Sequence, residues 1–352
     1  LPRVSSMPMR LRSCPSLSPS WVVPMLTGLI WGVVSDHADA AVIGESGTAY
    51  GWINPEIKPF TASASANVDI EPEVNLPDDL GTYDHTVFRG GVRGQPFVDA
   101  NDEVQISASW TEAATDTTAP LLPNGDFPDH LYDLRFGGMY RHVTASKYIY
   151  GASASFGSDD PKPFSTTAGL IVGASVFMKM PLDSGDAWLF TLSYSNDRTL
   201  FNNVPFPGVA YEWNPDKTFR MIIGIPFFLA NWRPTPSVLA DVSASIFGNV
   251  HAGGWVKPFE RARWLRLQAA YDWGTEIYKW PSYIDSDQFV YFRSMRVTGG
   301  IGIEITQLIG GSLFAGAAFD REVLMGTSIR NYSDVLQVSP GFVCGVSVRA
   351  GY

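Results

Sequence analysis

The fold class this sequence predicts is all-β: a transmembrane, antiparallel, up-and-down β-barrel of about fourteen strands, with twelve as the alternative. Three observations predict it. Segments of about ten to twelve residues alternate apolar with polar side chains. The connections between them alternate long and short. The final segment alternates cleanly and ends on an aromatic residue, Tyr352.

The stretch 186–227 shows the first pattern best. Trp188, Phe190, Leu192 and Tyr194 fall on one face, with Thr191, Ser193 and Ser195 on the other. Successive strand side chains point to opposite faces, so this is a two-sided strand of period two. Phe219, Met221, Ile223, Ile225 and Phe227 repeat it, opposed by Arg220 and Gly224. Between them 197–216 reads as a polar connection, with turn chemistry in Pro205, Pro207, Gly208, Asn214 and Pro215.

Composition agrees with one large β domain. The 352 residues include 33 Gly and 25 Pro, with 17% charged and 13% aromatic residues. No mature stretch is long and apolar enough for a membrane helix, whereas a barrel wall needs only alternate apolar residues. Residues 1–40 read as a secretory signal: Arg10 and Arg12 form a basic region, 21–34 an apolar one, and Ala38-Asp39-Ala40 a cleavage site. The alternative is an N-terminal anchor helix, against which stand the short apolar run and Pro24. Without residues 1–40 the chain carries 22 Lys and Arg against 33 Asp and Glu, a net charge of −11. Such acidity without basic clusters argues against nucleic acid as a partner. Cys344 is then the one cysteine left, which excludes an intrachain disulfide.

From the mature start, 41–59 reads as a periplasmic lead-in and 60–352 as the barrel. The strands expected are 60–69, 83–94, 103–110, 131–142, 147–157, 168–180, 186–196, 217–227, 237–247, 250–258, 263–273, 289–304, 308–320 and 340–352. A parity change near Arg293 predicts a bulge. Long connections are expected at 111–130, 158–167, 197–216, 274–288 and 321–339; short ones at 143–146, 181–185, 228–235, 259–262 and 305–307. Long outer loops and short periplasmic turns are the asymmetry of bacterial outer-membrane barrels. Both termini then fall on the periplasmic side. In the last strand Val346, Val348, Ala350 and Tyr352 share the outward face, a pattern that would serve as an assembly signal for the barrel-assembly machinery.

LYDLRFGGMYRH, KYIYGASASFGSDDPKPF, AWLFTLSYSNDR, PFPGVAYEW and IIGIPF together resemble a family of bacterial outer-membrane β-barrels of unknown function. The resemblance runs over about 60–352. It implies a fold and a compartment, the outer membrane, and brings no catalytic residues.

Motifs for chemistry are sparse. His85, His130, His142 and His251 show no paired-ligand spacing, and no G-x-S-x-G, P-loop or dinucleotide fingerprint occurs. No cofactor, metal or enzymatic activity is expected. An outer-membrane lipase would need a serine beside His142, which has outward parity, or beside His251, and neither has a motif partner. Acidic pairs at Asp159-Asp160 and Asp285-Asp287 read as solvated loops rather than calcium sites.

The face opposite the apolar one is more informative. It carries Asp133, Arg135, Arg141, Lys179, Arg220, Asp241, Arg266, Asp272, Arg296, Glu304 and Arg349. An Arg or Lys facing lipid at mid-depth costs about 2–4 kcal/mol, so these charges are expected to face the lumen. They either pair across a packed lumen or line a path for solutes. Outward aromatics (Trp110, Tyr132, Tyr140, Tyr148, Trp188, Tyr194, Phe219, Phe227, Tyr271, Trp273 and Tyr352) read as girdles in contact with outer-membrane lipid. The expected role is a passive, transport-type channel for small solutes. The alternatives are a closed structural or adhesion barrel acting through its loops, and a secreted soluble β-sandwich that binds a ligand.

Overall fold

The computed structural model describes residues 57, 62–119, 127–198, 200–280, 288–306 and 308–351. The first half of the wall is β1 (Ala62–Asn75), β2 (Thr82–Val98), β3 (Asp102–Thr117), β4 (His130–Val143), β5 (Ile149–Asp160), β6 (Leu170–Pro181), β7 (Ala187–Ser195) and β8 (Phe206–Trp213). The second half is β9 (Phe219–Ile225), β10 (Phe227–Thr235), β11 (Val238–Ser245), β12 (Asn249–Val256), β13 (Leu265–Lys279), β14 (Phe289–Glu304), β15 (Ile309–Ser328), β16 (Asn331–Val338) and β17 (Gly341–Gly351). From β1 to β16 each strand pairs antiparallel with the next. β16 and β17 both pair with β15, one beyond the other, from Ser328↔Asn331 to Arg321↔Val338 and from Ala318↔Gly341 to Ile309↔Ala350. They are two segments of one wall strand, interrupted at Ser339 and Pro340. β17 also pairs with β1, from Ser63↔Gly351 to Ile70↔Cys344, and so closes the ring. The wall therefore has sixteen strands, not fourteen or twelve.

The two additional strands are β8 and β10, and both lie in segments expected to be connections. Pro207 is the second residue of β8 and faces Leu192 of β7, so it removes one donor near a strand start without ending the strand. β9 ends at Ile225, and Pro226, after a cis peptide bond, is the whole connection to β10. Because the chain turns there, Phe227 does not continue the outward face of β9. It packs on the inner cluster of Leu189, Ala210, Ile222 and Leu229. Adding two strands leaves the direction of every other strand unchanged and inverts that of β9 alone.

Three other expectations change. The register shift at Arg293–Met295 lies where expected, but the extra residue belongs to β15, at Asp320, which has a φ of 50°. The connection expected at 321–339 is largely strand, in β15 and β16, and the one expected at 274–288 begins as strand, since β13 reaches Lys279. The expected lead-in and Tyr352 lie outside the described residues. The exception is Ile57, which packs against Met139, Val143, Ile149 and Phe177.

Alternation along the strands sorts the two faces. Val172, Val176, Phe190, Leu192, Ile223, Val297, Ile301 and Leu313 are exposed on the outer face. Near the end that carries both the start of β1 and the end of β17, the exposed outer residues include Tyr140, Trp188, Trp213, Trp232 and Trp264, an aromatic girdle. Lipid accepts no unpaired sheet edge, and a closed ring with an apolar exterior meets that requirement. The chain is an outer-membrane β-barrel. The girdled end, with its mostly short turns, corresponds to the periplasmic end of bacterial outer-membrane barrels.

Wall height is uneven. β9 to β12 have seven to nine residues, whereas β13, β14 and β15 have 15, 16 and 20. The excess of β13–β15, with β16, lies over the outer mouth. There residues of both parities are buried: Val290 and Phe292 on one face, Phe289 and Tyr291 on the other. A sheet covered on both faces is not a lipid-facing wall; it is a lid.

Candidate functional site: a charged lumen under an apolar plug

The lid's lower face and the inner faces of β2, β3 and β4 meet in the largest apolar cluster of the described residues. Tyr83, Val87, Ala113 and Leu131 pack against Tyr278, Val290, Phe292, Val323 and Met325, with Phe127 and Trp280 at the side. Each large side chain buried in this way stabilises the contact by about 1.5–3 kcal/mol. The lid's other face forms a second cluster of Phe289, Tyr291 and Leu324 with Ile277 and Ile329. β13 thereby approaches β4 and β5. Eight steps separate β13 from β5 either way round the sixteen-strand ring, so these are opposite walls in contact. Lys279 fastens the approach by donating from Nζ to the Leu170 carbonyl at 2.8 Å. These contacts cross the outer half of the lumen.

Beneath the plug lies a balanced ionic layer. Arg89 pairs with Asp69 at 2.6 Å and with Glu276. Arg296 pairs with Asp69 at 3.1 Å and with Glu71 at 2.9 Å, and Arg321 pairs with Glu71. Three guanidinium groups and three carboxylates thus join β1, β2, β13, β14 and β15. His85 sits at the boundary between the two layers, its ring 4.7 Å from that of Phe292 and its Nδ1 3.0 Å from Thr115 Oγ1. On the opposite wall Arg135 bridges Asp133 at 2.8 Å and Asp197 at 2.5 Å, next to the fully buried Asp159.

Lower in the barrel the inner face carries smaller ionic groups. His251 on β12 lies between Asp272, at 2.6 Å, and Asp241, at 3.1 Å. Lys179 and Arg220 converge on Glu212 at 2.7 and 2.8 Å, although β7 separates β6 from β8. Arg141 pairs with Glu103, and both are buried. Lys257 pairs with Glu304 at 2.9 Å. Arg266 and Arg349 lie on the same arc, over the bare backbone of Gly302 and Gly310. Asp272, Asp241 and Arg93 are at least partly exposed on the inner face, the side chain of Asp272 being 45% exposed.

The structure therefore distributes the eleven charged residues singled out from the sequence over several groups rather than one site. Asp133 and Arg135 go to the outer layer, Arg296 to the layer under the plug, Asp241 and Asp272 to His251. Arg141, Lys179, Arg220, Arg266, Glu304 and Arg349 lie near the periplasmic end. Sequence reasoning missed Glu71, Arg89, Glu103, Glu212, Glu276 and Arg321. Glu71, Glu212, Glu276 and Arg321 lay in segments read as connections. The signal that could have found the carboxylates is the imbalance of the set itself, seven cations against four carboxylates, since buried charges need partners.

Outside the lumen, Val346 and Val348 are exposed on the outer face of β17, whereas Ala350 is buried. His142 contacts Asp102 at 2.9 Å, and its ring lies 5.0 Å from that of Tyr150, tilted by 30°. Among the described residues no group of three or more His, Cys, Asp or Glu is arranged to hold a metal ion.

No family model matches the chain, and no curated protein matches it. It is similar to an outer-membrane channel from Pseudomonas putida F1 at 10% identity, covering 84% of this chain and 100% of that one, with a TM-score of 0.35. It is also similar to OmpT, an outer-membrane protein of Vibrio cholerae, at 10% identity over 84% and 99% of the two chains (TM-score 0.31). A third is the translocator domain of the autotransporter NalP from Neisseria meningitidis, at 10% identity over 87% and 92% (TM-score 0.32). At these values the likeness carries no argument about role. The wall and lumen of this chain have to supply it.

Proposed function

We propose that the chain is a passive, transport-type outer-membrane barrel for small solutes, held closed at its outer mouth by the apolar plug. The observation that carries this reading is the exposed, charged inner face below the plug, at Asp241, Asp272 and Arg93. A barrel with a purely mechanical role has no need of exposed charge there, whereas a solute path does. The plug itself favours a second reading, a closed structural or adhesion barrel acting through its outer surface.

Single-channel recording in planar bilayers separates the two. Under the channel reading, wild-type protein opens rarely, and a plug variant, Val290→Ser with Phe292→Ala, gives frequent conductance steps. Absence of steps at every voltage from both proteins, with folding intact, leaves the closed barrel as the function.

A further inference from the structure

We propose that the periplasmic end of the lumen, on the arc from β10 to β17, binds a phosphate-class oxyanion. This deepens the transport reading, and rests on it, by naming a solute chemistry. Arg233, Lys257, Arg266 and Arg349 come from β10, the turn after β12, β13 and β17, each within two positions of its strand's periplasmic end. At the same level the described inner face supplies one carboxylate, Glu304, engaged with Lys257 at 2.9 Å. The adjoining turn adds Arg261 and Arg263 against Glu260. Elsewhere in the lumen cations meet carboxylates in nearly equal number; here they do not.

The unsatisfied hydrogen-bonding groups point the same way. Trp255 Nε1 and Arg266 Nε are buried and have no hydrogen-bond partner. Both are donors, so what the site lacks is acceptors. The Trp255 ring has the Lys257 ammonium 5.6 Å and the Arg233 guanidinium 5.9 Å from its centroid, which holds two cations on one face of the lumen. Arg266 has both Arg349 and Glu304 as charged neighbours. The wall is built to allow this crowding. A Cβ on Gly302 would fall 2.2 Å from Arg266 Nε, and one on Gly310 would fall 3.3 Å from Arg349 Nε. Cations crowded over a glycine floor repel one another, and an added anion between them would offset that repulsion. Tetrahedral oxygens answer both the planar guanidinium forks and the orphan N–H groups, as a single halide does not.

The test is calorimetric titration of inorganic phosphate into the detergent-folded full chain at constant ionic strength, with sulfate and chloride in parallel. Saturable binding of phosphate, or of both oxyanions, well above chloride is expected. Arg266→Gln weakens it at least tenfold. Glu304→Gln, which removes the competing carboxylate, tightens it severalfold, a gain that misfolding cannot mimic. No saturable oxyanion binding in wild type, or equal affinities in all three proteins, overturns the site. Conductance is read separately: binding without channel steps rejects the transport reading and keeps the site, and steps without binding do the reverse.

Discussion

The clearest single-residue consequence concerns Glu103, which is fully buried and paired with Arg141, itself 4% exposed, while Gln95 donates to the same carboxylate. Removing one partner of a buried ion pair leaves the other charge uncompensated, at about 3–5 kcal/mol. Glu103→Gln is therefore expected to lower the urea midpoint of the folded barrel sharply. Arg330→Gln, on the connection between β15 and β16, should leave the midpoint nearly unchanged. The sequence made half of this pair legible. Period-two alternation assigns a side chain to a face, so the strands around Arg141, Lys179 and Arg220 could be read directly. It does not say which residue on another strand lies opposite. Glu103 and Glu212 become partners only through the register, and Glu71, Glu276 and Arg321 only because strands extend past the membrane into segments rich in turn residues.

Among the elements, proline decided what could be read. Pro207, Pro226 and Pro234 punctuate 205–235, and each is an ordinary turn signal. In the barrel Pro207 stands near the start of β8, Pro226 is a one-residue connection, and Pro234 falls at the register shift near the end of β10. Two short strands were thus hidden by residues whose local meaning was correct and whose wider context was not. β3, β4, β6 and β7, free of interior proline, were legible from alternation alone. On β17, Val348 is exposed to lipid, and Val348→Arg should reduce the heat-modifiable folded fraction, at about 2–4 kcal/mol if the site is at mid-depth. Arg349→Ser should fold nearly as wild type. The reverse ranking would mean that the two faces of β17 are exchanged. The turn between β8 and β9 has its own pH signature. Asp216 accepts from the Thr218 hydroxyl and amide, both at 2.6 Å, and from the Phe219 amide at 3.0 Å; the Thr218 hydroxyl first, then the amides, hold its carboxyl below the usual carboxylate range. A depressed folded pKa contributes stability above the unfolded value, and that stability is lost as pH falls through the folded one. Asp216→Ala should therefore destabilise at neutral pH, and its deficit should vanish in acid unfolding curves.

At the scale of the whole molecule, the lid and the wall have different physics. The wall is fixed by lipid, which leaves its backbone no alternative partners. The lid is fixed by burial on both faces, as a soluble sheet is. Phe292 lies in its lower face, and Phe292→Ala leaves a cavity costing about 3–5 kcal/mol. Hydrogen exchange should then accelerate across 289–292 and 321–326 while the amides of β5 to β8 keep wild-type protection; uniform acceleration would mean that lid and wall unfold as one unit. The pairing of β17 with β1 bears on time as well as on shape. Ser63 cannot meet Gly351 until the fourteen intervening strands have been laid down in order. Throughout that wait β1 has a bare edge, and each unpaired group would cost on the order of several kcal/mol in hydrocarbon. The unfinished wall therefore either stays out of the membrane until the last strand arrives or enters it with another surface laid along that edge, to be peeled away as β17 takes its place.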